Sequence, residues 1–400
     1  MIATSPAAGA PASSPDKSRA AVLVGRCDVR LWGLTPHERC RRALARCGID
    51  DIRIDGAPPP DAASVVMLRT DFVIDEALIK ALAATPETLL MPALHDGRRA
   101  AVAAHVAGPP APELAALLRR ESATAAEAAA FGLELVGPAE LGGTYNQSLH
   151  KQAVPYVLPL VDQPARAIER QMFDAASEGI TDFMTRWLWP WPAFWASRWF
   201  AARRVAPILV TVASIVLVLL AILLFEARLF GMGLVAAWLT AFLDSVDGRL
   251  ARVTLATSRI GRIFHDGIHL LHPPLWYLAW FYGLAAAAAP GQTLLLAGSA
   301  WVCIAGYVIA HLLEVVFRWR FGFDLQAWRR LDSAFRLFAA GHNPSLALLT
   351  LCTVFGRPDN GLHVVAAWTL LSLAFHTVRI GQAFRRRRAG LPVESWLAAA

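Results

Sequence analysis

Asp244 and Asp247 lie three residues apart, with Ala251 four further on, in the stretch DSVDGRLARVTLATSRIGRIFHDGIHLLH that runs from Asp244 to His272. On a helix that spacing puts both carboxylates and a small side chain on one face, where the two acids can hold a divalent metal. Gly248 and Ala251 leave backbone uncovered beside the carboxylates, and Arg252 adds a guanidinium whose fork suits a phosphate. His265, His269 and His272 fall at i, i+4 and i+7 of the next helical stretch, a row of imidazoles able to ligate metal or take a proton from an attacking hydroxyl. Two acids, a small-residue gap and an arginine suit a metal-bound pyrophosphate, and hence phosphate transfer. The plainer account of the histidines, hydrogen bonds between neighbouring helices, stays open beside it.

The pattern Asp244-x2-Asp247-Gly248-x2-Ala251-Arg252-x8-Gly261 resembles the signature of the CDP-alcohol phosphatidyltransferases. In that family it continues x3-Asp-x3-Asp; the first three aspartates bind metal and the fourth is proposed to deprotonate the acceptor alcohol. Counting on from Gly261 puts His265 and His269 at the third and fourth acid positions, with Asp266 one place out of register. The resemblance implies a metal site of Asp244, Asp247 and His265, a nucleotide pocket along Gly248, Ala251, Arg252 and Gly261, and a base at His269 with Asp266 beside it. The ion expected is Mg or Mn, with Zn admitted by the imidazole. The partners implied are a CDP-linked lipid or alcohol donor, a small-molecule alcohol acceptor and membrane lipid. The alternative is a catalytically silent membrane protein that keeps the pocket for binding or scaffolding.

With 56% hydrophobic residues in 400, the chain is too apolar for an ordinary soluble enzyme and long enough for two domains. The fold class expected is an α/β cytoplasmic domain joined to an all-α, six-helix transmembrane domain. The apolar spans are 205–225, 229–247, 264–289, 293–317, 338–356 and 361–383, most of them near the roughly 20 residues a bilayer needs. Arginines crowd alternate loops: Arg203 and Arg204, then Arg249, Arg252, Arg259 and Arg262, then the 318–336 connection, then Arg385 to Arg388. The intervening loops carry almost no charge, which puts both termini and the motif on the cytoplasmic side of an inner-membrane, multi-pass protein. Asp244 and Asp247 then lie at the inner end of the second span and the histidines at the inner start of the third. Of the arginines between spans four and five, Arg329, Arg330 and Arg336 are candidates for an acceptor's phosphate, or simple topology anchors. His311 and Glu314, three apart in span four, read as a pair supporting the site from behind or, more simply, as an interhelical contact. The net charge of +7 needs no nucleic acid to explain it, and a homodimer is left open.

Residues 1–19 form a disordered leader of Ala, Ser, Pro and Gly. From 20 to 151 short apolar runs alternate with helical stretches, an α/β pattern. The order AVLVG…RLWGLTPHERCRRALARCGIDDI is similar to the start of sugar-phosphate nucleotidyltransferases, but Gly25-Arg26-Cys27-Asp28-Val29-Arg30-Leu31 has too few glycines to cradle a triphosphate. Asp71 sits where such enzymes place a metal-binding aspartate, and equally where a strand ends in a turn. The run Tyr145 to Lys151 resembles the junction of fused enzymes that join an inositol-phosphate cytidylyltransferase to a di-inositol-phosphate-phosphate synthase. The first domain therefore reads as a degenerate nucleotidyltransferase. Residues 152–204 form an interfacial linker rich in Trp and Arg, 205–384 the membrane domain, and 385–400 a basic cytoplasmic tail.

Overall fold

The computed structural model describes residues 19–398 apart from 59, 61, 95, 96, 109, 111, 162, 257 and 258; at 259–266, 268 and 269 it describes the backbone alone. The expected leader lies outside these residues except for Arg19, which opens the first strand. The chain divides into two compact units. The first comprises the chain up to Val29, Thr35–Gly143 and Val154–Gln163; the second comprises Arg30–Leu34, Thr144–Ala153 and Pro164–Ala400.

The first unit is built on the strands β1 (Arg19–Val24), β2 (Asp51–Ile54), β3 (Ser64–Arg69), β4 (Phe72–Ile74), β5 (Thr88–Leu90), β6 (Ala103–Ala107) and β7 (Glu134–Val136). Six of them form one mixed sheet in the order β2-β1-β3-β6-β5-β7. β1 runs parallel to both neighbours, with Leu23 opposite Ile54 and Val22 opposite Met67, while β6 is antiparallel to β3 and β5. β1 reads as an unbroken apolar run because it is buried after its first residue, as expected of a central strand with parallel neighbours. Helix α1 (Pro36–Arg46) starts where Thr35 accepts a hydrogen bond from the Glu38 N–H and Pro36 presets the first turn. α2 (Glu76–Ala84) is capped in the same way by Asp75. The short helices α3 (Pro112–Leu118), α4 (Ala125–Ala129) and α5 (Pro138–Gly142) complete the unit.

The second unit is helical. Small strands β8 (Tyr145–Asn146) and β9 (Lys151–Gln152) precede α6 (Ala165–Ala175), α7 (Pro190–Ala202), α8 (Pro207–Glu226), α9 (Phe230–Val253), α10 (Arg259–Ala285), α11 (Pro290–Phe321), α12 (Arg330–Arg336), α13 (His342–Val354) and α14 (Pro358–Arg388). Among the described residues four helices are long and apolar enough to cross a membrane: α8, α9, α11 and α14. Their outward faces carry large apolar side chains such as Leu209, Val216 and Leu223 on α8 and Leu295, Trp301 and Leu312 on α11. Small ones take part in their contacts beside large aromatics. Ala221, Ala237 and Ala241 are buried with Trp280, and Gly283 lies so close to the Phe225 carbonyl that an added Cβ would stand 2.1 Å from it. Helices in lipid gain little from burying apolar surface against each other, so close backbone approach carries the packing.

Three expectations change. The span expected at 338–356 is the 13-residue helix α13, about 20 Å long against a hydrocarbon core of about 30 Å. Gly341 caps its start, and Gly356 in the left-handed region at φ +72° followed by Pro358 ends the run. The single boundary expected at 151 is interleaved instead, because residues 30–34 and 144–153 pack within the helical unit. Trp32 is 1% exposed, its ring 5.8 Å from Phe173 and 5.7 Å from Phe194, and its N–H donates to Glu169. Gln147 donates to the Gly322 carbonyl, and His150 pairs with Asp324. Burial raises the Asp324 carboxyl, but the His150 hydrogen bond and the Arg318 charge outweigh it and hold the group below the ordinary carboxylate range. Finally, the segment expected as a basic cytoplasmic tail, 385–400, begins as helix and then folds back. α14 continues to Arg388, and Trp396 then folds back, its N–H donating to Ala327 O and its ring N–H to Ser333 Oγ.

Candidate active site

α8 and α9 are antiparallel neighbours joined by the short Ala227–Leu229 turn. A three-residue step up one helix therefore matches a three-residue step down the other. Thr211 Oγ1 donates to Asp247 Oδ2 at 2.6 Å, and Ser214 Oγ donates to Asp244 Oδ1 at 3.0 Å. Each motif carboxylate is thus oriented by a hydroxyl from α8, as outer hydrogen bonds orient metal-binding carboxylates. Sequence reasoning missed both hydroxyls, although two of them at i and i+3 in an otherwise aliphatic span are a legible signal. Asp247 is buried.

Beyond Asp247 the helix carries no side chain at Gly248, and Arg252 covers the backbone there. A Cβ added at Gly248 would stand 3.4 Å from Arg252 Nη2, so the guanidinium of Arg252 lies folded over the glycine. Its Nη2 is 4.0 Å from Glu178 Oε1, a loose ion pair. On α10 the backbone is helical through Gly261, His265, Asp266 and His269, which puts His265, His269 and His272 on one stripe; the side chains of the first four lie outside the described residues. His272 is described and buried, its ring 4.5 Å from Trp276 and 5.6 Å from His342 at the start of α13. His342 is a further residue that sequence reasoning passed over.

The three candidate acceptor arginines do not converge. Arg329 stacks on its chain neighbour Trp328 and Arg330 on Trp396 of the docked C-terminal segment, and both are exposed. Arg336 turns inward: its Nε donates to Gln326, whose amide donates to Glu314. His311 bonds the carbonyl of Tyr307 on its own helix, so His311 and Glu314 take separate partners. Another acid missing from the sequence reading, Asp182, accepts hydrogen bonds from the N–H groups of Met184 and Thr185, the Thr185 hydroxyl and the Asn343 amide. Burial raises its carboxyl, but these bonds and the charge of Arg336 hold it below the ordinary range.

The linker, expected to be interfacial, carries both exposed and buried aromatic side chains. Trp187, Trp191 and Trp199 are exposed, while Phe194 is buried; Arg166 lies over Trp195 and Arg203 over Trp199. In the first unit, Asp71 is engaged by Arg69 at 2.9 and 2.6 Å. Gly25, at the end of β1, gives its N–H to Asp55 and its carbonyl to the Thr70 hydroxyl. The polar groups at these strand ends are thus turned on one another.

A helical unit with apolar outward faces and two hydroxyl-oriented carboxylates beside an arginine-covered glycine defines a membrane protein with an acidic site. Residues 204–341, from the residue before the loop into α8 to the cap of α13, match the family model for CDP-alcohol phosphatidyltransferase, and this stretch is a domain of that family. No curated protein matches the chain. The family is generally dependent on a divalent metal. Among the described residues no group of three or more His, Cys, Asp and Glu side chains is placed to hold an ion, but Asp244 and Asp247 share one helical face and offer the hard oxygen donors such an ion takes.

Replacing Thr211 by Val keeps the shape and removes the hydroxyl, and Ser214→Ala does the same for Asp244. Each is expected to leave the protein folded and to lower metal affinity or turnover by about 10- to 100-fold. Metal titration of the purified variants checks this; unchanged affinity and turnover in both would show that the hydroxyls do not support the site.

Proposed function

We propose that this protein is a membrane enzyme that transfers a phosphoryl-alcohol or phosphatidyl group from a CDP-linked donor to an acceptor alcohol. The family match over residues 204–341 carries the proposal, because the match contains the carboxylate pair of α9 and its arginine-covered glycine. The acceptor hydroxyl oxygen bonds to the β-phosphorus of the donor, the phosphoanhydride bond breaks, and CMP departs with that bond's electron pair. Asp244, Asp247 and His265 would hold a divalent cation, which neutralises pyrophosphate charge when bound. Gly248, Ala251 and Gly261 admit the nucleotide, and Arg252 holds phosphate oxygens. His269, four residues after His265, takes the acceptor's proton; an imidazole titrating at about 6.5 suits that task. Arg336 is the acceptor-side arginine whose inward position fits substrate best.

Six segments form the membrane domain, α8, α9, α10, α11, α14 and the short α13 taken with the apolar residues 338–340 that precede it, with both termini and the motif on the cytoplasmic side, as the arginine alternation requires. The first unit is a nucleotidyltransferase relative without nucleotidyl transfer: Asp71 is held by Arg69 and the loop after β1 lacks the glycines that bind a triphosphate.

His269→Ala is expected to lower turnover by roughly two to four powers of ten with little change in CDP-alcohol affinity. If His269 is instead a ligand, metal and nucleotide binding weaken together and added Mn or Zn partly rescues them. An inert wild type with an active His265→Asp/His269→Asp double mutant would mark a silenced relative, and CDP-alcohol binding without turnover in either would favour the silent binding protein. Labelling of a cysteine placed at position 388 is expected only from the cytoplasmic side; labelling from outside reverses the topology. Incubated with CTP and a sugar or inositol phosphate, the full chain is expected to release no pyrophosphate, and release would restore the first unit as a nucleotidyltransferase.

A further inference from the structure

Arg249, one residue past Gly248 on α9, is 4% exposed. Its Nη2 reaches the Thr185 carbonyl at a long 3.4 Å, and its guanidinium carbon lies 5.2 Å over the ring of Phe173. Nη1 is buried and has no hydrogen-bond partner among the described residues. A buried guanidinium with an unmade hydrogen bond is costly, since hydrogen bonds to charged groups are among the strongest a protein makes. Arg252 follows three residues later on the same helix, so two cationic groups stand side by side.

The acids around them are few or already engaged. The charges that act on Arg249 are those of Arg252, Glu178, Asp174 and Arg170, and Asp247 acts with Glu178 on Arg252. Asp174 is held by Arg170 at 3.2 Å and Asp247 by the Thr211 hydroxyl. Glu178 remains, half exposed and 4.0 Å from Arg252. Two forked cations, each with a buried donor unused among the described residues, and one loosely held carboxylate describe a site whose better occupant is a tetrahedral oxyanion, which takes guanidinium forks at several oxygens.

We infer that Arg249 and Arg252 form a two-guanidinium subsite for a phosphate group of the donor, and that Glu178 is the resident carboxylate which that phosphate displaces. The subsite rests on the donor assignment above for the identity of its ligand, and on Arg249 and Glu178 for its existence. Arg249 lies at a position that the motif leaves free.

The test is calorimetric binding of CDP and, separately, of inorganic pyrophosphate to the full-length protein in nanodiscs with Mg present. Arg249→Met is expected to weaken both by about 10- to 100-fold, the loss of a hydrogen bond to a charged group. Glu178→Gln, at an exposed position, is expected to tighten both by about two- to five-fold, the scale of an exposed ion pair. A purely structural Arg249 would lower the melting temperature while Glu178→Gln bound both ligands as the wild type does, and that result overturns the subsite even where Arg249→Met fails to fold. Wild-type binding of CDP with no response to either variant removes the subsite and leaves the donor assignment standing. Binding of pyrophosphate but not CDP, with both variants responding as expected, supports the anion subsite and removes the CDP donor. Binding of neither ligand overturns both.

Discussion

Two carboxylates placed inside an apolar helical bundle must be hydrogen-bonded or they do not stay there as anions, and the pairing of α8 with α9 meets that demand. The register is fixed far from the acids, by the Ala227–Leu229 turn and by the Phe225 ring seated against Gly233, where an added Cβ would stand 2.4 Å from the ring. A slip of one residue in that pairing would rotate Thr211 and Ser214 away from Asp247 and Asp244. The apolar end of the hairpin thus positions the polar end, and every group placed around the motif, from the backbone at Gly248 to the fold of Arg252 over it, inherits that register.

The same demand accounts for the other polar groups in the helical unit. Asp332 and Arg379 form a bidentate buried pair at 2.6 and 2.8 Å between α12 and α14. Glu314, Gln326 and Arg336 make a chain from α11 to α12, and Asp182 ties the segment before α7 to the first turn of α13. Removing one member of such a set leaves the other uncompensated, so these contacts fix which helices meet more firmly than they add stability. They also sort the arginines: Arg379 is committed to Asp332, Arg329 and Arg330 to indole rings, and Arg336 reaches the polar interior.

Much of this was legible in the sequence because it depends on local spacing. The carboxylate pair, the small residues and the histidine stripe are read at helical period, and the α/β character of the first unit from apolar runs and turn residues; AAVLV, DIRI and SVVMLR are strands and PHERCRRALAR is a helix in the structure. What was not legible depends on partners distant in the chain. Nothing local to Trp32 says that Phe173 and Phe194 will enclose it, and nothing in the last ten residues says that Trp396 will bond Ser333. The short α13 was readable in part: Gly341 and Gly356 bracket it, but the apolar run from Phe338 to Phe355 outweighs two glycines when hydropathy is averaged over a window.

The motif's third and fourth positions carry the deepest physical consequence. With His265 and His269 there, the four motif positions contribute the two negative charges of Asp244 and Asp247 where four aspartates would contribute four. One divalent ion balances such a pair, so a pyrophosphate would meet a site with little residual negative charge and the neighbouring arginines would act on it nearly undiminished. A carboxylate base stays ionised far below neutral pH, whereas an imidazole titrates near it and changes its own charge by one on taking the acceptor's proton. On the proposed reading, replacing aspartate by histidine would therefore shift the site from permanent negative charge toward charge that follows the proton, and it would place the burden of holding a charged donor on the guanidinium groups of α9.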